Sequence, residues 1–329
     1  MTKARCLVIQ PIHEEGLAVL RAAGVEPVVA SAPDMASVAR VIVECDAVIT
    51  RNAGLDRRAM DAAPRLRVIG NHGVGLDPVD LGHARRLGIP VVNTPHANAI
   101  AVAEHVAALV LGLAKRLGEG DRATRAGDFA YKYRARLLEL RGLTLGIVGF
   151  GAIGRRTAEI LLRGFGMALL VYAPRMDDDA NAALAALDGR RAASLDALLM
   201  ESDVVSLHVP LRDDTRGMIG ASELARMRPG ALLVNTARGA LIDETALVES
   251  IRSGHLGGVG LDVYASESMP SDHPLLALER AVLTPHVAGS ADGALRRTAR
   301  EVSEQVVQVL AGERPEHLVD PSVWEERRH

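Results

Sequence analysis

Gly149, Gly151 and Gly154 have the G-x-G-x-x-G spacing of a phosphate-binding turn. The apolar run Leu143–Val148 predicts a buried strand before the turn, and Ile153–Leu162 predicts a helix after it. In such a unit the first glycine allows the tight turn, the second lets the backbone approach a pyrophosphate, and the third lets the helix pack on the strand. The helix N-terminus adds unpaired N–H groups and a partial positive charge. The spacing predicts a dinucleotide site, with a structural glycine turn or a methyltransferase-type loop as the alternatives.

The residues after the second strand of this unit bear on which dinucleotide binds. In an NAD site an Asp or Glu about 20 residues beyond the turn binds the ribose 2′-hydroxyl. Here the run Ala168–Tyr172 is followed by Ala173, Pro174 and Arg175, so the acid is missing. An uncharged residue with an arginine nearby accommodates a 2′-phosphate. We therefore expect NAD or NADP as the cofactor, and the missing acid weakly favours NADP. The alternative is that Arg175 is a solvated loop residue and NAD binds.

Three polar residues in the second half of the chain form a candidate catalytic group. Arg238 follows the apolar run Leu232–Asn235, and His286 follows Val282–Leu283. In open α/β sheets, ligands bind at the carboxyl ends of the strands. Glu267 follows the apolar run that ends at Val263. Each residue alone has a simpler interpretation: Arg238 could form a structural salt bridge, Glu267 could be a surface carboxylate, and His286 could be a polar loop residue. Together they predict an anion-binding arginine and an acid that holds a histidine in its protonated form.

Two successive series of strand and helix patterns would position these residues. The first has strand-like runs at Cys6–Ile9, Val25–Ala30, Ala47–Thr50, Arg67–Gly70 and Val91–Val92, with helix-like segments at His13–Ala23, Met35–Val43 and Val79–Leu87. The second has strand-like runs at Leu145–Val148, Leu169–Tyr172, Val204–Val209, Leu232–Asn235, Gly258–Val263 and Val282–Leu283. Alternation of this kind predicts parallel sheets covered by helices. We expect an α/β fold with two doubly wound parallel-sheet domains.

Three further segments complete this outline. A long alanine-rich helical pattern, Ala99–Leu117, separates the two series, and a last helical pattern covers about Ala291–Ala311. The last pattern lies far beyond the second series, so we expect this helix to return to the first domain. The polar stretch Arg175–Arg191 is expected to form an exposed loop and helix.

The domain boundaries follow from this arrangement. Residues 1–100 and 290–329 are predicted to form one domain, and residues 101–289 a second domain inserted into it. The two crossovers, Asn98–Val102 and Gly289–Gly293, are expected to act as the hinge.

Composition restricts the partners and the compartment. The chain has 329 residues, enough for two domains with full cores, and a net charge of −3, which argues against nucleic acid as a partner. The two cysteines, Cys6 and Cys45, fit a reducing cytosol without a disulfide framework. The N-terminus has no signal-peptide pattern, and no apolar run is long enough to span a membrane. We expect a cytoplasmic protein with no membrane partner and no metal site.

The order and spacing of several motifs resemble the D-isomer-specific 2-hydroxyacid dehydrogenases, the family of D-3-phosphoglycerate, D-glycerate and hydroxypyruvate-reducing enzymes. Besides the glycine turn, the motifs are His72-Gly73-Val74-Gly75-Leu76-Asp77, Val92-Asn93-Thr94-Pro95, Val102-Ala103-Glu104-His105, His208-Val209-Pro210-Leu211, Asn235-Thr236-Ala237-Arg238-Gly239, Gly260-Leu261-Asp262-Val263-Tyr264 and Thr284-Pro285-His286. The resemblance covers nearly the whole chain and implies a Rossmann dinucleotide-binding domain inserted in a flavodoxin-like substrate domain. Because the chain ends at His329, we expect the short form without a regulatory domain.

The resemblance implies a role for each residue of the candidate catalytic group. His286 would be the acid/base group, Glu267 would pair with it, and Arg238 would bind the substrate carboxylate and polarise the keto oxygen. Asp262 would accept a hydrogen bond from the nicotinamide carboxamide. In reduction, hydride would pass from the nicotinamide to the keto carbon while His286 supplies the proton.

The remaining positions implied by the resemblance divide between cofactor and substrate. Ala152 and Ile153 would lie against the pyrophosphate. The other cofactor residues would be Val209, Pro210, Thr236 and Ala237, with Val102, His286 and Gly289. The substrate residues would be Val74 and Gly75, through their backbone N–H groups, with Arg51, His72 and Arg238. Arg51 would meet a phosphate or second carboxylate of the substrate, or would be a surface arginine near a strand end.

Relatives with other chemistry leave alternatives that the residues help to weigh. Formate dehydrogenases carry Gln where this chain has Glu267, and phosphite dehydrogenases carry Lys where it has Val74, so both activities are disfavoured. Dinucleotide-sensing corepressors of the family keep the same catalytic-looking residues, so a sensor stays an alternative. We expect an NAD(P)-dependent dehydrogenase of a small 2-keto acid such as glyoxylate, hydroxypyruvate or 3-phosphohydroxypyruvate. By resemblance it would be a homodimer, with Ala99–Leu117 as a candidate interface element.

Overall fold

The computed structural model describes residues 3–266 and 268–328 and contains two compact units. Unit 1 comprises residues 1–98 and 290–329, and unit 2 comprises residues 99–289. Among the described helices, none combines the length and apolar character needed to cross a lipid bilayer.

Unit 1 contains a five-stranded sheet in the order β2-β1-β3-β4-β5, in which every strand pairing is parallel. Its strands are β1 (Arg5–Val8), β2 (Glu26–Val29), β3 (Ala47–Thr50), β4 (Val68–Asn71) and β5 (Val91–Val92). Neighbouring strand residues such as Val48 and Ile49 belong to two different hydrophobic clusters, so the sheet is buried on both faces.

The helices of unit 1 are α1 (Glu14–Ala22), α2 (Met35–Val41), α3 (Arg57–Asp61), α4 (Leu81–Arg86) and the final α12 (Asp292–Leu310). Helix α12 does return to this unit. A Cβ added at Gly70 would stand 2.9 Å from a methyl carbon of Val302 and 2.9 Å from one of Val306. Glycine in β4 therefore lets α12 pack directly on the sheet.

Unit 2 contains a seven-stranded sheet in the order β12-β11-β10-β9-β6-β7-β8, again with parallel pairings. Its strands are β6 (Thr144–Val148), β7 (Ala168–Tyr172), β8 (Arg190–Arg191), β9 (Val204–Leu207), β10 (Leu232–Asn235), β11 (Gly258–Leu261) and β12 (Ala281–Leu283). The predicted fold class, two doubly wound parallel-sheet domains, is confirmed.

The helices of unit 2 correct one prediction. They are α5 (Ala99–Ala114), α6 (Leu117–Arg125), α7 (Ala152–Phe165), α8 (Asp178–Ala186), α9 (Leu195–Glu201), α10 (Ala221–Arg226) and α11 (Glu244–Arg252). The predicted single helix Ala99–Leu117 is wrong at its end, because Arg116 adopts a left-handed conformation with φ 47° and separates α5 from α6. Eleven of the 16 residues of α5 are buried, so this helix belongs largely to the core of its own unit.

The stretch Arg175–Arg191 also holds more than the predicted loop and helix. Helix α8 is followed by β8, a two-residue edge strand that pairs with β7. Two adjacent arginines carry no hydrophobic signal, so only pairing with β7 marks them as a strand.

Candidate active site

The turn after β6, Gly149–Gly151, is fixed by close backbone contacts. Gly149 has φ 92°, and a Cβ there would stand 2.7 Å from the carbonyl oxygen of His208. A Cβ at Gly154 would stand 2.3 Å from the carbonyl oxygen of Gly149. Both positions therefore need glycine, for conformation and for space respectively.

The start of α7 is arranged to receive an anion. Arg155 donates the first helical hydrogen bond, to the Gly151 carbonyl at 3.0 Å, so the N–H groups of Ala152, Ile153 and Gly154 precede the helical ladder. A Cβ on Gly151 would meet no described protein atom within 4 Å, so the space beside this glycine is open. Open space next to unpaired N–H groups at a helix N-terminus fits a pyrophosphate.

The end of β7 has the features predicted for reading the ribose. Ala173 is 6% exposed, and Arg175 lies exposed in the following loop. The nearest acid, Asp177, accepts a hydrogen bond from the Ala180 N–H at 2.7 Å and lies 3.6 Å from the Arg155 guanidinium. This carboxylate is therefore engaged in capping α8.

The predicted contacts on the other strands lie at the same edge of the sheet. Val209 and Pro210 follow β9, and the Val209 side chain lies against Gly149. Thr236 and Ala237 follow β10, and the buried hydroxyl of Thr236 has no hydrogen-bond partner among the described residues. A buried hydroxyl without a hydrogen bond destabilises the fold unless a ligand supplies the partner, so this position fits a cofactor contact.

Arg238 is held by its own loop. The Asn235 amide donates to the Arg238 carbonyl at 2.8 Å, and the Asn235 amide oxygen accepts from the Ala237 N–H at 3.0 Å. A Cβ on Gly239 would stand 1.9 Å from the carbonyl carbon of Tyr264. The backbone next to Arg238 therefore packs directly on the segment after β11, and the half-buried arginine starts from a rigid base.

His286 has a strained backbone, with φ 54°. A left-handed conformation costs a non-glycine residue on the order of 1–3 kcal/mol and persists only where the surroundings enforce it. Here the His286 N–H donates to the Asp262 carbonyl at 2.9 Å and to the Thr284 carbonyl at 3.1 Å. Glu267, the predicted partner of His286, lies outside the described residues.

Asp262 anchors the segment that carries His286. Its fully buried carboxylate accepts hydrogen bonds from the Val287 N–H at 2.9 Å, the Ala288 N–H at 2.8 Å and the Thr284 hydroxyl at 2.6 Å. The geometry therefore gives Asp262 a positioning role that the sequence did not indicate. Its contact with a nicotinamide carboxamide stays a prediction.

In unit 1, the turn Gly73–Gly75 follows β4 and is held by asparagine. The Asn71 amide donates to the carbonyls of Gly73 at 3.1 Å and Gly75 at 2.9 Å, and Asn93 donates to the Val74 carbonyl at 3.4 Å. The carbonyls are thus bound within the unit, while the N–H groups of Val74 and Gly75 have no partner among the described residues. Consecutive unpaired N–H groups suit a carboxylate.

Arg51 and His72 lie near each other at the ends of β3 and β4 in unit 1. Arg51 is half-buried and donates to the Pro11 carbonyl at 2.8 Å, and burial lowers its pKa. Burial and then the Arg51 charge lower the pKa of His72 to about 4, so His72 is neutral at neutral pH. The buried Nε2 of His72 has no partner among the described residues.

The two remaining predicted cofactor residues lie at the limits of unit 2. Val102 is 6% exposed on α5, and Gly289 is the last residue of the unit. The cofactor contacts of Val102 and Gly289 stay predictions.

Sequence reasoning did not assign roles to Asn71, Asn235 and Thr284. Each of them orients a neighbouring predicted residue through a hydrogen bond. All three stand within the quoted motifs or directly before one, and a small polar side chain at a strand end is the signal that indicates such a role.

Comparison with known proteins agrees with this geometry. Residues 107–288 match the family described as D-isomer specific 2-hydroxyacid dehydrogenase, NAD binding domain. A glyoxylate reductase of Korarchaeum cryptofilum is 38% identical over 292 residues, 86% of each chain. A D-3-phosphoglycerate dehydrogenase of Archaeoglobus fulgidus is 34% identical over 309 residues, and the match spans 94% of this chain but 58% of that protein.

A solved structure extends the likeness to the whole chain. It is the NADPH-dependent glyoxylate/hydroxypyruvate reductase of Sinorhizobium meliloti in complex with NADP and malonate. The TM-score is 0.86 at 27% identity, covering 100% of this chain and 99% of that one.

Proposed function

Because the chain belongs to the D-isomer specific 2-hydroxyacid dehydrogenase family and is therefore an oxidoreductase of 2-hydroxy acids, we propose that it reduces a small 2-keto acid to the D-2-hydroxy acid. One observation carries the proposal. In unit 2 the ordered segments bearing Arg238 and His286 follow parallel strands of the sheet that also carries the nucleotide-binding turn. Ligands of such sheets bind beyond the carboxyl ends of the strands.

The residues of this chain would divide the chemistry as follows. A bound reduced nicotinamide supplies the hydride that reduces the keto carbon. Arg238 binds the substrate carboxylate and polarises the keto oxygen with its planar fork of donors. His286 supplies the proton to that oxygen, with Glu267 as its partner. In unit 1, the N–H groups of Val74 and Gly75 are the proposed donors to a carboxylate.

An absorbance assay of the reduced nicotinamide tests the reaction class. The panel is glyoxylate, hydroxypyruvate, pyruvate, phenylpyruvate, 2-ketoglutarate and 3-phosphohydroxypyruvate, each with NADH and NADPH. We expect turnover with at least one keto acid, and chiral analysis of the product should give the D isomer. Tight dinucleotide binding without turnover on the whole panel would contradict a reductase of these acids.

Arg51 supports a keto acid with a second anionic group. Its guanidinium is half-buried, and the neighbouring His72 is neutral and adds no second positive charge. Replacing Arg51 with Met should raise KM for 3-phosphohydroxypyruvate about tenfold or more and leave KM for glyoxylate nearly unchanged. Equal changes for both acids would contradict recognition of a second anion.

NADPH is the proposed preferred cofactor. The support is the missing acid at Ala173, the engaged carboxylate of Asp177, the exposed Arg175, and the NADP bound by the Sinorhizobium relative. Replacing Ala173 with Asp should shift the preference toward NADH, because a carboxylate repels the 2′-phosphate and accepts from a ribose hydroxyl. Steady-state kinetics with both cofactors measure the shift, and an unchanged ratio would show that this position does not read the ribose.

A homodimer is the proposed assembly, with its apolar contact surface after α5 rather than along it. The support is a set of exposed apolar side chains between residues 117 and 138 of unit 2: Leu117, Phe129, Tyr133, Leu137 and Leu138. Exposed apolar surface is typical of association sites, and these five side chains come from one short segment of the chain. Sedimentation velocity should show a dimer, and Phe129→Asp should weaken it, whereas a monomeric wild type would contradict the proposal.

A further inference from the structure

Arg191 places its guanidinium beside the backbone that follows β7. It lies on β8, where it pairs with Val171 of β7. Its Nη2 donates hydrogen bonds to the carbonyl of Ala173 at 2.9 Å and to that of Pro174 at 3.3 Å. These two residues stand where a dinucleotide-binding sheet reads the ribose of its cofactor. A cation from the neighbouring strand thus lies at the position where an acid is missing.

The Arg191 guanidinium has donors left for a ligand. Both of its hydrogen bonds use Nη2, and in the part of the chain that the structure describes no acceptor contacts its Nε or Nη1. A guanidinium carries five N–H donors in a planar fork that suits phosphate oxygens. The two carbonyl contacts hold the fork in place, which reduces the entropy lost when an anion binds.

The nearby carboxylate does not neutralise this arginine. Asp177 caps α8 through Ala180 and faces the guanidinium of Arg155, and no ion pair joins a described carboxylate to Arg191. Arg190, the preceding residue, is different, since it binds Glu201 at 2.9 Å. Side chains of consecutive strand residues point to opposite faces of the sheet, so the two arginines do not act together.

We propose that Arg191 is a specificity-determining residue that binds the 2′-phosphate of the cofactor ribose. The inference rests on the proposed dinucleotide site and goes beyond it, because Arg191 comes from the third strand of the Rossmann unit rather than from the loop after the second. Arg191 holds the Ala173–Pro174 backbone with one nitrogen and offers Nε and Nη1 to a phosphomonoester.

Two nucleotides without a nicotinamide test the assignment. The full-length wild type and variants are titrated by calorimetry with adenosine 2′,5′-bisphosphate and with adenosine 5′-monophosphate. Arg191→Met should weaken binding of the bisphosphate about tenfold or more, because a charge-assisted hydrogen bond is lost. The monophosphate should bind within about twofold of wild type and serves as the check on folding. Arg190→Met is the matched control and should change neither affinity.

The outcomes separate this inference from the proposal on which it rests. Retention of the bisphosphate preference in Arg191→Met would overturn the assignment of Arg191 alone. If binding of both nucleotides weakens equally, Arg191 only supports the backbone, and the assignment is also overturned. Equal affinity of the wild type for the two nucleotides would overturn the NADP preference, and binding of neither would overturn the nucleotide site.

Discussion

The glycine turns after β4 and β6 both leave backbone N–H groups at the carboxyl end of a parallel strand, but they are held in different ways. The turn Gly149–Gly151 is fixed by backbone packing, since a Cβ on Gly149 would overlap a carbonyl. The turn Gly73–Gly75 is fixed by the side-chain amide of Asn71, and a Cβ on Gly73 would meet no described atom within 4 Å.

The two turns should therefore be disrupted by different kinds of substitution. A packed turn is sensitive to added atoms, whereas a hydrogen-bonded turn is sensitive to the loss of its donor. The packed turn continues into α7, whose N-terminus contributes to anion binding. The hydrogen-bonded turn uses only its own N–H groups, and the buried Asn71 side chain is the one that donates to two of its carbonyls.

The largest expected effect is on turnover and comes from His286, which lies outside both turns. It tests whether the chemical step depends on this residue while the turns serve binding. Replacing His286 with Gln should lower kcat about a hundredfold to ten-thousandfold, because the proton donor to the keto oxygen is lost. Dinucleotide affinity, measured by calorimetry, should stay nearly unchanged, since the N–H groups at the start of α7 are untouched. Turnover near the wild-type value would reject His286 as the acid/base group.

The packed turn is broken by one added methyl group. Gly154→Ala would place a Cβ 2.3 Å from the Gly149 carbonyl oxygen and should lower the free energy of unfolding by about 1–3 kcal/mol. Gly151→Ala is the matched control, because its Cβ would enter open space. It should leave Tm unchanged and weaken dinucleotide binding by crowding the pyrophosphate. Denaturant unfolding and calorimetry separate the two effects, and a loss of stability in Gly151→Ala would show that the space is not open.

The hydrogen-bonded turn is broken by removing its donor. Asn71→Ala leaves the carbonyls of Gly73 and Gly75 without the amide that donates to both. The free energy of unfolding should fall by about 1–3 kcal/mol, and KM for the keto acid should rise about tenfold. Dinucleotide affinity should not change. Asn93→Ala removes only a 3.4 Å contact and should raise KM much less. Similar KM values in the two variants would argue against a special role of Asn71.

The last effect is shared by the two units and concerns acid stability. Burial lowers the pKa of His208 in unit 2 to about 3, and burial with the Arg51 charge lowers that of His72 in unit 1 to about 4. In the unfolded chain both titrate near 6.5, so the unfolded state binds more protons below that pH. The two histidines should therefore make stability fall as pH drops from about 6.5 toward 4.

Melting curves across this pH range check the effect. His208→Gln and His72→Gln should each flatten the dependence of Tm on pH by a similar amount. An unchanged slope in either variant would mean that the histidine is not held in its neutral form.

Local sequence patterns predicted much of the fold and part of the candidate active site. Strand-like runs predicted most strands to within two residues, because buried parallel strands are continuous apolar segments. The glycine spacing at residues 149–154 predicted the nucleotide-binding turn, since the chemistry needs glycine at those positions. The break at Arg116 and the strand Arg190–Arg191 were missed, because neither has a hydrophobic period.

The family, the residue types of the site and their places at strand ends follow from the amino-acid sequence. How these residues are held depends on the folded structure. Asp262 became the anchor of the His286 segment through contacts with residues 25 and 26 positions further along the chain. Asn71 became the donor to the unit 1 turn because the chain folds back over its side chain within four residues. Arg191 reached the end of β7 because an edge strand pairs there. A motif specifies which chemical groups are present, whereas strand pairing and burial determine which hydrogen bonds those groups form and which charges lie beside them.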